Sequence, residues 1–325
     1  MRILVRATNW IGDAVLSLPA LRDLRRRNFP DARIEVLARG WVSDLYRMVA
    51  EIDGVVESRG LAEDVARLRS SYDVAVLLPN SFRSALEAFA SGIPERWGYA
   101  LDGRKMLLTR HCPVPRAIRG RSQVYYYRAM LSGVGLQVSA QPDAKLTCPE
   151  AWAERGKAIL GEGEFLAMSP GAFYGSAKRW IPARYAAAGD LLSRRFGKPV
   201  VILGGAAERS LGEAIASSMR TKARVLCGET SLPDLVGVFS KVSLLLTNDS
   251  GPMHVASALG VPVVAVFGPT DWRETHPVGR HALVRSGVEC APCLLRDCPI
   301  DHRCMTRVGV ADVVEAARGL WGGAA

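Results

Sequence analysis

Short apolar runs alternate with stretches of helical period along the whole chain. Arg2 to Arg6 reads as a strand, and apolar positions then recur at helical spacing from about Ala14 to Arg27. Arg33 to Leu37 is the next strand, followed by a helix around Trp41 to Met48 and a short strand at Val55 to Glu57. A charged helix, Leu61 to Arg69, precedes the buried strand Val74 to Leu78, and another helix begins near Phe82. Gly, Pro and Arg punctuate Ile93 to Val114, which predicts short extended pieces, and a helix follows at Gln123 to Leu131. The polar, Pro-containing stretch Gln137 to Glu150 reads as a linker. Beyond it the alternation resumes. Strands are expected at Phe165 to Ser169, Pro199 to Gly204, Arg224 to Leu226, Val242 to Leu246 and Val261 to Phe267. Helices are expected at Ala183 to Phe196, Ala206 to Ser218, Leu232 to Phe239 and Val310 to Leu320.

Alternation of this kind predicts parallel sheets covered on both faces. The expectation is an α/β protein of two Rossmann-like doubly wound domains, 1–150 and 151–325, facing a central crevice. The final helix is a candidate to pack back on the N-terminal domain. A chain of 325 residues, 49% hydrophobic and 23% charged, is long enough for two cores and too apolar for disorder. No apolar stretch reaches the roughly 18–20 residues needed to span a bilayer, and the start, MRILVRATNW, is a poor secretory signal. A cytoplasmic protein is expected.

The richest stretch runs from Thr247 to Pro269, TNDSGPMHVASALGVPVVAVFGP. It predicts strand, turn, helix and strand, with the turn at the carboxyl end of a buried strand. The turn suits an anion. Asp249 and Ser250 can cap, Gly251 lets the backbone come close, and Pro252 fits a first helical turn. Free N–H groups and the helix dipole both favour a phosphate there. His254 lies one turn further in. A well-capped structural helix is the plain alternative.

Three other strand ends carry chemistry. The first βα turn, ATNWIGDAV, lacks the G-x-G-x-x-G fingerprint and offers Gly12 and Asp13 instead. Asp13 suits a general base at a crevice, and equally a first-turn acid favoured by the dipole. The loop SPGAFYGSAKRWIP leads from Ser169 and Gly171 to Lys178, Arg179 and Trp180. Lysine and arginine at a strand end suit a diphosphate, although Lys178 also fits a solvated loop. Glu229 in CGETSL is placed to take the hydroxyls of a ribose, or merely flanks a helix.

The net charge of +10 implies an anionic partner. No zinc-finger spacing or ribonucleoprotein motif is present, so an acidic ligand or an anionic membrane face is favoured over nucleic acid. Basic groups occur at Arg22, Arg25, Arg26 and Arg27, at Arg116, Arg119 and Arg121, and at Arg194 and Arg195. Of seven cysteines, Cys112, Cys148 and Cys227 stand alone and read as small buried hydrophobes. Cys290, Cys293, Cys298 and Cys304 fall close together with His302 among them. In a cytoplasmic chain that cluster suggests metal or redox chemistry before disulfides. Its spacing is too compact for paired zinc knuckles. A reduced, ordered loop that packs or touches substrate is the leading reading, and a structural metal the minority one.

Taken together, NWIGDAVLSLPALRDLR, the SPGAFYGSAKRWIP loop, CGETSLPDL, LTNDSGPMHVASALGVPVVAVFGPTDW and CAPCLLRDCPIDHRCM resemble the lipopolysaccharide ADP-heptose heptosyltransferases of glycosyltransferase family 9. The resemblance runs in order through nearly the whole chain, and the Cys-rich signature looks most like the subgroup that adds the second inner-core heptose. It implies the glycosyltransferase B fold and metal-independent, cofactor-free transfer with inversion. The donor is then ADP-L-glycero-β-D-manno-heptose, and the acceptor heptosyl-Kdo2-lipid A at the inner face of the cytoplasmic membrane. The N-terminal half is expected to bind acceptor and the C-terminal half ADP-sugar.

By motif position Asp13 would be the base, and Lys178 would neutralise the leaving diphosphate. Ser169, Gly171, Glu229, Asp249, Ser250, Gly251 and His254 would bind donor, and Asn9, Trp10 and Gly12 would line the acceptor side. Arg22, Arg25, Arg26 and the Arg116 to Arg121 segment are candidates for lipid contact. The alternatives are a first-heptose or other sugar-nucleotide transferase, a non-catalytic nucleotide-binding protein, and an epimerase of the same fold.

Overall fold

A computed structural model describes residues 1–322, and the chain divides into two compact units, Met1–Ala144 and a second beginning at Lys145. The N-terminal unit is built from β1 (Arg2–Arg6), α1 (Ile11–Asp23), β2 (Arg33–Ala38), α2 (Gly40–Arg47), β3 (Gly54–Glu57) and α3 (Leu61–Leu68), then β4 (Val74–Leu77), α4 (Phe82–Ala90), β5 (Glu95–Tyr99), β6 (Arg110–Cys112) and α5 (Gln123–Gly133). Its strands lie in the order β3-β2-β1-β4-β5-β6, and the pairs are parallel throughout.

The second unit opens with α6 (Glu150–Leu160) and continues through β7 (Phe165–Ser169), α7 (Pro182–Phe196), β8 (Val200–Ile202), α8 (Arg209–Ser218), β9 (Ala223–Val225) and α9 (Leu232–Phe239). Next come β10 (Val242–Asn248), α10 (Gly251–Ala258), β11 (Val263–Phe267), α11 (Trp272–Thr275), β12 (His281–Arg285), α12 (Arg303–Thr306) and α13 (Val310–Gly322). The strand order is β12-β11-β10-β7-β8-β9, again parallel. Numbered within its own unit this is the same 3-2-1-4-5-6 order, so each unit is a Rossmann-like sheet. Each sheet reverses its winding once, between β1 and β4 in the first unit and between β7 and β10 in the second. Ligands of such sheets bind outside the carboxyl ends of the strands at that reversal.

Central strands are apolar on both faces because helices cover both. Ile3, Val5, Val36, Val76 and Leu77 are buried in the first sheet, and Leu244, Leu246, Val264 and Val266 in the second. The second core also holds Trp180, Tyr185 and Met305. The final helix, expected to return across the linker, lies against α7, β11 and β12 of its own unit. Two expected strands begin later than their apolar runs, at Val200 and Val263. Each follows a proline, which has no N–H for the ladder. The first helix starts at Ile11, earlier than its apolar spacing indicated, and ends in a wide turn at Leu24–Asn28. No expectation covered α6, which opens where the linker closes, or the outer strand β12.

Arg22, Arg25 and Arg26, candidates for lipid contact, are each held by carboxylates of their own unit. Arg22 pairs with Asp143 at 2.8 Å and Glu51 at 3.5 Å, Arg25 with Asp53, and Arg26 with Glu51. That basic row neutralises carboxylates of its own unit.

Candidate active site

The winding reversal of the second sheet gathers most of the residues singled out at the two motif-bearing strand ends. Ser169 closes β7 and is buried, and Asn248 closes β10. Between them the turn Asp249-Ser250-Gly251-Pro252 opens α10, with Ser250 as N-cap and proline in the first turn. The Ser250 hydroxyl makes no cap hydrogen bond; it lies 3.3 Å from the Thr247 hydroxyl instead. The first-turn amides of α10 therefore take no side-chain acceptor of their own, and they carry the positive end of the helix dipole.

Lys178 is delivered to this turn by the loop after β7. Its Nζ donates to Asp249 Oδ2 at 2.7 Å, with the two side chains only 12% and 5% exposed. Thr270 donates to the same oxygen at 2.6 Å. Asp249 was expected to shape this turn and contact the donor; its bonds here fix the ammonium and the threonine beside the helix N-terminus. The lysine also lies 5.0 Å from the Tyr174 ring.

His254 is buried in the first half of α10, and its Nδ1 has no hydrogen-bond partner. Burial pushes its pKa down to about 4, outweighing the opposing pull of Asp249, while Lys178 and His276 push the same way as burial. The imidazole is neutral at pH 7 and can offer a hydrogen bond near the N-terminus of α10 without adding charge.

Sequence reasoning missed Asn248. Fully buried, its Oδ1 accepts from the Trp180 amide at 3.0 Å and the Tyr185 hydroxyl at 2.9 Å. Its Nδ2 donates to the Pro170 and Gly171 carbonyls at 2.7 and 3.2 Å. One carboxamide thus ties both ends of the lysine loop to the strand that carries Asp249. The available signal was a polar residue ending an apolar strand.

Gly171 lies against the Glu208 carboxylate, which a Cβ there would strike. Glu208 accepts the Gly205 amide at 2.9 Å and so stands at the end of β8, next to β7. Glu229 is further out, beyond β9, exposed and paired with Arg209 at 2.7 Å. The structure thus brings Ser169, Gly171, Lys178, Asp249, Ser250, Gly251 and His254 together and leaves Glu229 at the sheet's edge. Glu208 is the carboxylate nearer the reversal, and no residue pattern had marked it.

The Cys-rich segment is the outer wall of the lysine loop. The Ala177 amide donates to the Arg296 carbonyl at 2.9 Å, Tyr174 to the Leu294 carbonyl at 2.8 Å, and Ser176 to Asp297 at 2.6 Å. His302 Nε2 lies 2.7 Å from the Ala177 carbonyl. Gly175 passes so close to the Arg296 carbonyl that a Cβ would collide with it. All four thiols are free and border an apolar cavity of about 130 Å³. Burial pushes the Cys304 thiol up to about 11, and its three cysteine neighbours add to the shift. Among the described residues no group of three His, Cys, Asp or Glu is placed to hold a metal ion.

In the first unit the reversal lies between β1 and β4, and Asn9, Trp10, Gly12 and Asp13 follow β1 directly. Trp10 is the exposed N-cap of α1 and Asp13 an acid of its first turn. The Asn9 carbonyl accepts the indole N–H of exposed Trp41 at 2.8 Å. Behind Asp13 stand two buried tyrosines, Tyr46 and Tyr127, whose pKa values burial raises (Tyr46 to about 12) and the Asp13 charge raises further. Both phenols stay protonated at neutral pH.

The profile of glycosyltransferase family 9 (heptosyltransferase) matches residues 65–303. Lipopolysaccharide heptosyltransferase 2 of Escherichia coli K12 is 32% identical over 309 residues, covering 87% of each chain. Lipooligosaccharide heptosyltransferase 2 of Haemophilus influenzae is 30% identical over 306 residues, 87% of this chain and 88% of that one. The solved structure of E. coli ADP-heptose lipopolysaccharide heptosyltransferase II superposes with a TM-score of 0.85 at 29% identity, over 98% of both chains.

Proposed function

The chain belongs to glycosyltransferase family 9, the heptosyltransferases, and on that premise we propose that it moves L-glycero-D-manno-heptose from ADP-heptose to heptosyl-Kdo2-lipid A during synthesis of the lipopolysaccharide inner core. The observation that carries the donor half is the buried Lys178–Asp249 pair at the open N-terminus of α10. One ammonium, a threonine hydroxyl and a row of helix amides converge where a diphosphate fits.

The acceptor hydroxyl attacks the anomeric carbon as the bond from that carbon to the β-phosphate oxygen breaks. Asp13 takes the hydroxyl proton, and ADP leaves with the electron pair. Lys178, released in part from Asp249, and the amides of Ser250 and Gly251 meet the charge that develops on the diphosphate. Neutral His254 donates a hydrogen bond to the same group. Asn248 and Asp249 hold the lysine in place, and Glu208 or Glu229 takes the ribose. Asn9, Trp10 and Gly12 flank the acceptor hydroxyl. The acceptor is a lipid, so the protein works at the inner face of the cytoplasmic membrane.

The test is ADP release by purified protein given ADP-heptose, with and without heptosyl-Kdo2-lipid A. Release that requires the acceptor is expected. Release without it would point to hydrolysis of the nucleotide-sugar, and none in either case, the result an epimerase would also give, would mean that the donor, the acceptor or the enzyme class is wrong.

A further inference from the structure

We propose that the carboxyl edge of β4, β5 and β6, formed by the start of α4 and the loops of residues 100–108 and 113–122, is a docking surface for an anionic lipid bilayer. This extends the reading above by naming the part of the protein that meets the lipid.

Between Arg83 and Arg121 the chain carries eight Lys and Arg against three Asp and Glu. Two of those carboxylates are engaged: Glu87 is buried on Arg6 at 2.7 Å, and Glu95 accepts from Trp97 and Thr109 and lies 3.6 Å from Arg110. The third, Asp102, accepts the Phe82 amide at 3.0 Å. Arg83, Lys105, Arg116, Arg119 and Arg121 are all exposed and form no ion pair among the described residues. This is the reverse of the Arg22 to Arg26 row, whose charge is spent on Glu51, Asp53 and Asp143.

Apolar side chains stand among these cations. Met106 is 80% exposed on the turn Arg104–Leu107, and Phe82 is exposed at the first position of α4. Arg104 ties the turn that carries Met106 to the start of α4. Its buried guanidinium donates to the Tyr99 and Pro79 carbonyls and to the Ser84 hydroxyl. The 113–122 loop leaves the neighbouring strand end, where Ala100 donates to the Cys112 carbonyl at 2.9 Å. Exposed lysine and arginine with outward Met and Phe along one sheet edge match an anionic membrane interface, where cations meet headgroups and apolar tips enter the acyl boundary. This edge lies beside the β1–β4 reversal, so a lipid-linked acceptor reaches Asp13 from the same side of its sheet.

The experiment is co-sedimentation of the full-length protein with phosphatidylcholine vesicles, with and without phosphatidylglycerol. Binding is expected only to the anionic vesicles. At about five-fold per surface cation, the triple variant Arg116→Gln, Arg119→Gln, Arg121→Gln should weaken partitioning on the order of 100-fold. Met106→Ser should weaken it roughly ten-fold. Turnover on a delipidated, water-soluble acceptor should be unchanged in both. Equal binding of wild type and triple variant, equal binding to neutral vesicles, or preference for duplex DNA over anionic vesicles would each overturn the proposal. A wild type that binds anionic vesicles but transfers no heptose to the soluble acceptor would sink the enzymatic reading and leave this surface standing.

Discussion

Lys178→Met separates the structural role of this side chain from the catalytic role proposed for it. In the resting structure the ammonium neutralises Asp249, whose carboxylate is 5% exposed. Removing it leaves that carboxylate buried with hydroxyl donors only, Thr270 at 2.6 Å and Thr275 at 3.5 Å. Breaking a buried pair from one side costs about 3–5 kcal/mol. At roughly 2–4 °C per kcal/mol for a unit of this size, the melting temperature should fall by on the order of 10 °C. Asp249→Asn added to Lys178→Met removes the stranded charge and should return most of that loss. If Lys178 also meets the charge of the departing diphosphate, the double variant stays slow. Removing one preorganised donor costs about 10²–10³ in turnover.

The assay is therefore paired: thermal unfolding and ADP release on wild type, Lys178→Met, Asp249→Asn and the double variant. A double variant that recovers both stability and turnover would refute the catalytic role and leave Lys178 a structural cation. A single variant as stable as wild type would refute the buried pair itself.

Asp13→Asn should lower turnover by about 10²–10⁴, the range for a positioned base, with ADP affinity by calorimetry unchanged; lost ADP binding would move Asp13 to the donor side. Asn248→Ala removes four hydrogen bonds, three of them to the lysine loop, and at about 1 kcal/mol each should cost about 4 kcal/mol of stability. It should raise KM for ADP-heptose and leave KM for acceptor unmoved, and an equal rise in both would deny it a specific hold on the lysine. His254 gives a pH signature. Its folded pKa of about 4 lies below the ordinary 6.5, so the unfolded chain takes up a proton that the folded chain refuses. The stability it supports is whole above pH 6.5 and is lost as pH falls toward 4, by about 3 kcal/mol. His254→Gln should flatten that limb of a melting-temperature profile, and an unchanged limb would place the acid sensitivity elsewhere.

The fold was legible where local pattern and tertiary environment agree. Phe165–Ser169 and Leu232–Phe239 stand as their apolar runs indicated, because a strand buried on both faces and a helix capped by Ser231 need nothing distant to define them. The apolar signal fails where burial is weak. In α6 only Gly156 and Leu160 are fully buried, and β12 is an outer strand with a single buried position, Val284. Turn chemistry marked the α10 N-terminus and Asp13, since Gly, Pro and a first-turn acid act locally. Asn248 and Glu208 were invisible because each works through groups distant in sequence: Pro170 and Trp180 for the first, Gly171 for the second.

The basic rows teach the same point about charge. A cluster of arginines has no meaning until its carboxylates are located, and sequence distance hides them: Asp143 lies far along the chain from Arg22, yet takes it at 2.8 Å. The Cys-rich segment inverts the lesson. Its thiols drew attention as chemistry, while the bonds to the lysine loop come from the Leu294 and Arg296 carbonyls and the Asp297 and His302 side chains, onto Tyr174, Ser176 and Ala177. A Gly-rich loop long enough to carry Lys178 inward has too much freedom to hold an ammonium at 2.7 Å from a buried carboxylate. Asn248 restrains it from within, and the Cys-rich segment restrains it from outside. Lys178 owes its position to both, so the C-terminal signature supports the proposed donor site through its bonds to the lysine loop.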